Sequence, residues 1–451
     1  MNNTQLGKET IGKLLLTFAL PSVVSLVLNA VYNMVDQIFI GQGVGYLANG
    51  ATNVIFPLTQ AAVAIGLLLG DGTASFMNLK LGSRDEKAAE KGMSAGITGL
   101  LIAGVVLFLL YNIFLEKLCH LFGATEATLP YALEYGRIIS LGIIFCVFSS
   151  GAMSIVRADG SPKLAMMGMV TGCIINLIGD PIAIFVLGLG VRGAAIATIL
   201  GQAVNALIYA FYLVKPKAVK LNLSSFKGCF SYLPRVARLG LSSFTTQLCI
   251  VLVIAVQNNL LVYYGALSEY GAEIPMTALG VTMKVFTVLQ CAIAGLMAGA
   301  QPIISFNYGS EHYDRVKKTL LITLIISLSL MAVATIWFQL APMSIIQIFG
   351  SEDALYNDFA TKCLQIFLSL LVFDGFQMVT SSFLQSIGKP VPASMLVLLR
   401  QIIISIPAML TLSKLTGVLG VLYSGPVAAF VVGITSAFLL LREVRRISLL
   451  K

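Results

Sequence analysis

Charged residues are scarce in this sequence: Asp, Glu, Lys and Arg make up 11% of the 451 residues, whereas hydrophobic residues make up 57%. Soluble proteins carry about 25% charged residues. One soluble core could not bury this much apolar surface, and the polar residues are too few to cover it. The composition therefore excludes a soluble enzyme and a disordered chain. Because a helix needs about 20 apolar residues to cross a bilayer, the length allows about a dozen membrane spans.

Residues that build metal and covalent sites are also few. The sequence contains two His, and both lie near the edges of apolar segments. Its seven Cys are an odd number without close pairs, and most lie inside apolar segments, where Cys acts as a small hydrophobic residue. We therefore expect no disulfide bond, no His or Cys metal site and no cofactor. A Walker A sequence is absent, so ATP is not the expected energy source.

Twelve long apolar segments divide the chain, and we predict that each is a transmembrane helix. We number them spans 1 to 12, and they cover residues 11–40, 51–79, 93–115, 131–156, 163–187, 193–214, 233–263, 276–307, 318–341, 358–386, 393–413 and 418–442. The longest hydrophilic stretch lies between spans 6 and 7. It is too short to form a domain, so we expect no catalytic domain outside the membrane.

The basic residues follow the loops in alternation. With both chain termini on one side, 22 of the 29 Lys and Arg fall on that side. The other side has Lys117, Arg192 and Lys414, and four more bases lie within spans or at their rims. Cytoplasmic loops carry such an excess, so we predict a multi-pass protein of the bacterial cytoplasmic membrane with both termini in the cytoplasm. The net charge of +9 is thus a topology signal and does not indicate nucleic acid as a partner.

The two halves of the chain repeat. Gly82-Ser83 recurs as Gly309-Ser310, and Gly190 recurs as Gly417, in both cases 227 residues later. Each half has six spans, an even number, so both copies enter the membrane from the same side. The pattern predicts an all-α membrane protein with two six-helix lobes, related by a pseudo-two-fold axis along the membrane normal. We expect an N-terminal lobe at residues 1–214, a linker at 215–232 and a C-terminal lobe at 233–451.

Four acids lie well inside the predicted spans: Asp36, Asp71, Asp180 and Asp374. An ionised acid at the centre of a membrane helix costs about 2.5–3.5 kcal/mol even on insertion scales, so each should face a protein interior or a water-filled cavity. The alternative is an acid that reaches the membrane surface or is neutralised by a neighbouring base. For Asp71 we favour that structural alternative.

Helical spacing selects the polar faces. Asn176 and Asp180 are four residues apart in span 5 and share one face. Pro181 removes the backbone hydrogen bond to the carbonyl of Leu177 and should bend the helix beside the acid. Two more one-sided polar stripes occur, namely Ser22, Ser25, Asn29, Tyr32, Asn33 and Asp36 in span 1, and Thr198, Gln202 and Asn205 in span 6. Together these helices could supply oxygen ligands for Na⁺, or two acids that share a proton.

Several motifs resemble one family, the multidrug and toxic compound extrusion (MATE) transporters, in particular their bacterial MepA-like branch. The motifs are LPSVV and YNMVDQIFIG in span 1, LGS after span 2, NLIGDPIAIF in span 5, GVRGAAIATILGQ in span 6, GAQPIISFNYGS in span 8 and SFLQSIGKP in span 10. They occur in order and in the expected spans. The resemblance covers essentially the whole chain.

The resemblance implies a cation site, for Na⁺ or H⁺, at Asp36, Asn176, Asp180 and Thr198. Asp374 resembles an acid that some members use in span 10. The sequence departs from the family at Asp71, where a small residue is usual, and at Gln257, where some members carry an acid.

We expect the substrate cleft to contain Tyr32, Asn33, Gln202, Gln257, Lys284, Asp374, Gln377 and Arg400. Lys284 and Arg400 are interpreted as buried bases that neutralise acids of the second lobe, including Asp374. For Arg400 a structural salt bridge is the preferred role. Phe and Met in the cleft would provide aromatic and polarisable contacts for cationic, amphipathic substrates.

The expected function is a monomeric, lipid-embedded, secondary-active exporter that exchanges organic cations or amphipathic compounds for Na⁺ or H⁺. One alternative is a flippase of the same superfamily for a lipid-linked precursor, which predicts an arginine-lined cleft. A second alternative is an intramembrane enzyme. It would need a nucleophile with a base or a His and Asp metal set, and no His lies deep in a predicted span.

Overall fold

The computed structural model describes residues 4–43, 46–122, 124, 126, 128–221, 223–271, 273–349 and 354–449. Some helical side chains inside these ranges, including that of Asp36, lie outside the described part of the structure. Each predicted span coincides with a helix or with a helix in two parts. The first six are Ile11–Gly43, Tyr46–Gly82, Glu86–Leu121, Leu129–Ala158, Pro162–Pro181 and Gly190–Val214.

The second six spans follow the same plan. Spans 7, 8, 9 and 12 are the helices Leu233–Ala266, Glu273–Gly309, Tyr313–Leu340 and Val418–Leu449. Span 10 consists of Ala354–Lys362 and Leu371–Ser386, and span 11 of Pro390–Leu398 and Ile406–Thr416. Short helices lie at Thr4–Lys8 and Pro342–Phe349, and 3₁₀ turns at Leu223–Phe226 and Cys229–Tyr232.

The count of twelve spans is confirmed. In the described part of the chain, eleven helices are long and apolar enough to cross a membrane. The twelfth span is the pair of span 10 helices, bent by 47° at a short break. Most helices run a few residues beyond the apolar segments because they continue into polar residues at the membrane surface.

Among the described residues, three spans contain π-helical segments, at Ile182–Val186, Cys363–Phe367 and Leu399–Ser405. Two of them adjoin a proline. Pro181 immediately precedes the first segment, and Pro407 lies just after the third. Because proline cannot donate a backbone hydrogen bond, the regular ladder is interrupted there and the turn widens. The interruption in span 5 occurs directly beside Asp180, as the sequence predicts.

The first six and the last six spans touch near the end that carries the basic loops, at residues 83–85, 159–161, 215–232, 310–312 and 387–389; we call it the basic end. Span 1 packs against span 8, and span 2 packs against span 7. The backbones meet because glycines lie at the contacts: a Cβ on Gly72 would overlap the Val236 carbonyl oxygen, and one on Gly240 would overlap the Leu68 carbonyl oxygen. Such close backbone contact is typical of membrane helices.

The N-terminal helix Thr4–Lys8 adds a further contact between the halves at the basic end. Leu6 is 3% exposed. Its carbonyl oxygen accepts hydrogen bonds from the amide of Asn307 and the guanidinium of Arg315, both at 3.1 Å. Arg315 also donates to the Glu9 carbonyl oxygen at 2.6 Å. The chain start, which leads into span 1, is therefore held by spans 8 and 9.

Candidate cation site and central cavity

Asn176, Asp180 and Thr198 lie together at the contact between spans 5 and 6. The Asn176 amide satisfies its neighbours when its nitrogen donates to Oδ2 of Asp180 at 2.9 Å and its oxygen accepts from the backbone N–H and the hydroxyl of Thr198, both at 3.1 Å. Asp180 is 0% exposed and Asn176 is 2% exposed. The structure therefore brings an acid, an amide and a hydroxyl into one buried hydrogen-bonded group.

Small residues allow this group to form. A Cβ on Gly172 would lie 2.8 Å from the Gly201 carbonyl oxygen, and one on Gly201 would lie 2.6 Å from the Gly172 carbonyl oxygen. The backbones of spans 5 and 6 therefore touch one turn before Asn176. Asn176 and Asp180 project from the same face of span 5 because they are four residues apart.

Span 1 lies against span 5 on the same side of the molecule. The amide nitrogen of Asn29 is 3.6 Å from the sulfur of Met169. Asn33 is exposed, and its amide donates to the Asn29 carbonyl oxygen at 2.6 Å. The helix continues through Asp36, but the Asp36 side chain lies outside the described residues, so its place in the cation site remains a prediction.

A cavity of about 290 Å³ separates the first six spans from the last six. Its lining includes Asp71 and Arg157 from the first half, and Gln377 and Arg400 from the second. Six of the eight expected cleft residues are not among the described residues that line it, namely Tyr32, Asn33, Gln202, Gln257, Lys284 and Asp374. Three Met but no Phe line it within the described part of the chain.

The expected ion pair between Asp374 and Arg400 is present. The guanidinium Nη2 lies 2.8 Å from Oδ1 of Asp374, with side-chain exposures of 13% for Arg400 and 8% for Asp374. The interpretation of Lys284 as a second buried base is wrong, because its side chain is exposed. Its position in the sequence gives its depth along span 8 but not the direction in which the helix points it. Gln257, by contrast, is buried in span 7 at 3% exposure.

Asp71, whose role the sequence left open, lines the cavity and is held by two hydroxyl groups. Its two carboxylate oxygens accept hydrogen bonds from the hydroxyls of Ser154 and Ser243, each at 2.6 Å. The nearest base, Arg157, donates to the Ser154 hydroxyl at 3.1 Å. Arg157, which counts with the bases on the side of the basic loops, is 4% exposed near the end of span 4.

The group around Asp71 was not identified from the sequence. The group consists of Ser154 from span 4, Ser243 from span 7 and Gln385 from span 10, whose amide donates to the Ser243 hydroxyl. No local sequence pattern connects these residues. The signal that could have selected it was the acid itself, because an acid inside a span needs polar partners from other helices.

The two halves of the chain both match one family description. The model of the family MatE matches residues 21–182 and again residues 249–411, so the second match starts 228 residues after the first. The chain belongs to the MatE family. The two matches agree with the internal repeat. In this family the chain is a transporter and not an enzyme, as the sequence predicted.

MATE relatives match over nearly the full length. The Multidrug export protein MepA of Staphylococcus saprophyticus is 25% identical over 421 residues, which cover 92% of this chain and 90% of the relative. The outward-facing structure of a multidrug resistance MATE transporter of the MOP superfamily superposes with a TM-score of 0.90 at 24% identity, covering 98% of both chains. The match to these relatives identifies a multi-pass bacterial membrane protein.

A second solved structure has a similar fold and a different suggested function. A MOP superfamily transporter from Pyrococcus furiosus superposes with a TM-score of 0.90 at 23% identity, covering 99% of this chain and 98% of that one. Its description reports a binding pocket of reverse polarity and suggests a different function for that protein. The substrate must therefore be inferred from the residues of the site and not from the fold.

Proposed function

We propose that this MATE protein is a secondary-active multidrug exporter that exchanges organic cations or amphipathic compounds for Na⁺ or H⁺ by alternating access. The observation that carries the proposal is the buried group of Asn176, Asp180 and Thr198. The names of the curated relatives, which are multidrug export proteins, support the substrate class. We also propose that the basic end is cytoplasmic, which places both termini inside the cell.

The coupling site is proposed at Asp180. Ionising a fully buried acid is costly, so such an acid either binds a cation or keeps its proton. Asn176 and Thr198 add an amide and a hydroxyl oxygen beside it, and Asp36 would add a second carboxylate. Such a set of oxygen atoms suits Na⁺, and two close carboxylates would equally share a proton with coupled titration.

Coupling requires that the ion and the substrate stabilise different conformations. Asp180 lies at the junction of spans 5 and 6, next to the π-helical turn Ile182–Val186. Widened turns of this kind are frequent at functional sites. Ion binding at Asp180 would change the packing of this turn. It would thereby favour the conformation that binds the substrate less tightly and releases it.

The flippase alternative is disfavoured by the pairing of the bases. Arg157 and Arg400 both line the central cavity, as a phosphate-binding cleft would require. However, Arg400 is paired with Asp374, and Arg157 is connected to Asp71 through Ser154. Arg400 is thus neutralised by an acid and Arg157 is held beside one, which favours a cation or neutral substrate over an anionic headgroup.

The linker between the proposed lobes is fixed at one point. Asp159 accepts hydrogen bonds from the Tyr212 hydroxyl at 2.6 Å and from the backbone N–H groups of Lys217 and Ala218 at 2.6 and 3.0 Å. Burial raises the pKa of Asp159, and these hydrogen bonds act in the opposite direction.

We propose lobes at residues 1–214 and 233–451, acting as a monomer surrounded by lipid.

The test is transport by purified protein in proteoliposomes. Separate Na⁺ and H⁺ gradients are imposed, and export of a panel of organic cations is measured for the wild type, Asp180→Asn and Glu116→Gln. Glu116 is an exposed acid of span 3 and serves as the matched control. We expect one gradient to drive export, Asp180→Asn to lose it and Glu116→Gln to retain it. Undiminished export by Asp180→Asn would contradict the proposal.

A further inference from the structure

Asp71 connects the two halves of the protein. Ser154, which donates to Oδ1 of Asp71, belongs to span 4 in the same half. Ser243, which donates to Oδ2, belongs to span 7 in the other half. The amide of Gln385 in span 10 donates to the Ser243 hydroxyl at 3.2 Å. The carboxylate thus joins spans 2, 4 and 7, and Ser243 extends the hydrogen-bonded group to span 10.

A second hydrogen bond crosses between the halves one turn further along span 2. The amide of Gln301 in span 8 donates to the Ser75 hydroxyl at 2.7 Å. The same amide lies 3.4 Å from the Asp71 carbonyl oxygen. Span 2 is therefore bonded to both of the helices that it meets in the second half, spans 7 and 8.

The helices are in contact on the basic side of this group. Gly72 meets Val236, and further towards the basic end Gly309 meets the Leu79 carbonyl oxygen. A side chain at either glycine would overlap the opposing backbone. The central cavity, which Asp71 lines, is therefore closed towards the basic end by a layer of direct backbone contacts.

The acid that makes this contact has no counterpart in the second half of the repeat. Applying the repeat of 227 residues, the counterpart of Asp71 is Ala298, which also lines the cavity. The related position in the second half thus accommodates a methyl group without a charge. A carboxylate is therefore not needed for helix packing at this position of the repeat. We attribute its role to the contact between the halves.

We propose that Asp71 is a latch that stabilises the conformation closed at the basic end. Opening there must separate span 2 from span 7 and break the hydrogen bond from Ser243. Hydrogen bonds to an ionised group are stronger than those between neutral groups, so the loss of this one should shift the balance between closed and open forms by about tenfold. The hydrogen bonds from Ser154 to Asp71 and from Arg157 to Ser154 lie within the first half and do not have to break on opening.

The proposal goes beyond ion coupling at Asp180 and needs no knowledge of the substrate. It is tested by hydrogen–deuterium exchange of the full-length protein in lipid nanodiscs, with no gradient and no transported compound. The variants are Asp71→Ala, Ser243→Ala and Ser154→Ala. Ser154→Ala is the matched control, because it removes a hydrogen bond to the same carboxylate without breaking the contact between halves. Failure of the transport proposal would therefore leave this test unaffected.

We expect Asp71→Ala and Ser243→Ala to exchange about tenfold faster at residues 79–85 and 306–313, which close the basic end. Ser154→Ala should exchange like the wild type, and Ser243→Thr, which keeps the hydroxyl, should restore slow exchange. Wild-type exchange in Ser243→Ala would overturn the proposal. Equal acceleration in Ser154→Ala would overturn it as well. If Asp71→Ala does not fold, the comparison between the two serine variants decides.

Discussion

The amide nitrogen of Asn176 donates to Oδ2 of Asp180 across 2.9 Å, one turn away on the same face of span 5. The amide oxygen accepts from Thr198 on span 6, so the position of the acid is fixed by two helices. In this arrangement a change in the charge of Asp180 alters the hydrogen bonds between spans 5 and 6. Ion binding at Asp180, as proposed above, would therefore act directly on the packing of spans 5 and 6.

Removal of the base from the ion pair in the second half should destabilise the protein. Arg400→Met leaves the buried carboxylate of Asp374 without its partner, which typically costs about 3–5 kcal/mol. We expect a clear fall in the thermal unfolding temperature in detergent. The double variant Asp374→Leu with Arg400→Met should recover much of the loss, since it leaves no unpaired charge. A single variant as stable as the wild type would show that the pair is not a structural element.

Added volume at the contact between spans 2 and 7 should be poorly tolerated. Gly240→Ala places a methyl group against the Leu68 carbonyl oxygen, so the helices must separate. Overpacking of this kind costs about 1–3 kcal/mol. Gly280→Ala is the matched control in span 8, because a Cβ there meets nothing within 4 Å. We expect a lower unfolding temperature for the first variant and an unchanged or higher one for the second. Equal effects would contradict the close contact.

Asp85 should contribute a pH-dependent cap to span 3. A hydrogen bond from Lys80 and the backbone N–H of Ala88 lower the pKa of this carboxylate from its ordinary value of 3.8. Its stabilising effect is therefore fully present above that ordinary value and is lost as the pH falls through the lowered one. Asp85→Ala should cost about 1 kcal/mol at neutral pH, as for other N-caps. The unfolding temperatures of the variant and the wild type are compared at pH 7 and at pH 3. We expect a smaller difference at pH 3, and an equal difference at both pH values would contradict the prediction.

Loss of the linker anchor should expose the linker to protease. Asp159→Ala removes the acceptor of three hydrogen bonds from residues 212–218. We expect faster trypsin cleavage after Lys217 and Lys220 in limited digestion; Lys215 precedes Pro216 and is not a trypsin site. Tyr212→Phe removes one of the three bonds and should show a smaller acceleration. Cleavage of Asp159→Ala at the wild-type rate would show that other contacts hold the linker.

The spans could be predicted closely because their length and position follow from bilayer thickness. The grouping of Asn176, Asp180 and Thr198 could also be predicted, since helical spacing places two of them on one face and a family motif marks the third. Side-chain direction could not be predicted. Lys284 is exposed although it lies within a span, and Arg157 is buried although it lies near a loop. Both outcomes depend on how each helix is rotated against its neighbours.

The partners of Asp71 were beyond sequence reasoning for a related cause. Ser243 lies 172 residues away along the chain and in the other half of the fold. An acid within a span signals that polar partners exist, but it does not say which helix supplies them. The structure identifies the hydroxyls of Ser154 and Ser243 as its partners, and Ser243 joins the two halves.

The central claim is that Asp180 binds the coupling ion, and one measurement addresses it directly. Wild-type and Asp180→Asn proteoliposomes are compared in two modes: gradient-driven accumulation of an organic cation, and exchange of the labelled cation for unlabelled cation without a gradient. The account predicts that Asp180→Asn retains exchange, which shows a folded protein with a working substrate site, and loses accumulation. Accumulation at the wild-type level in Asp180→Asn would contradict the account.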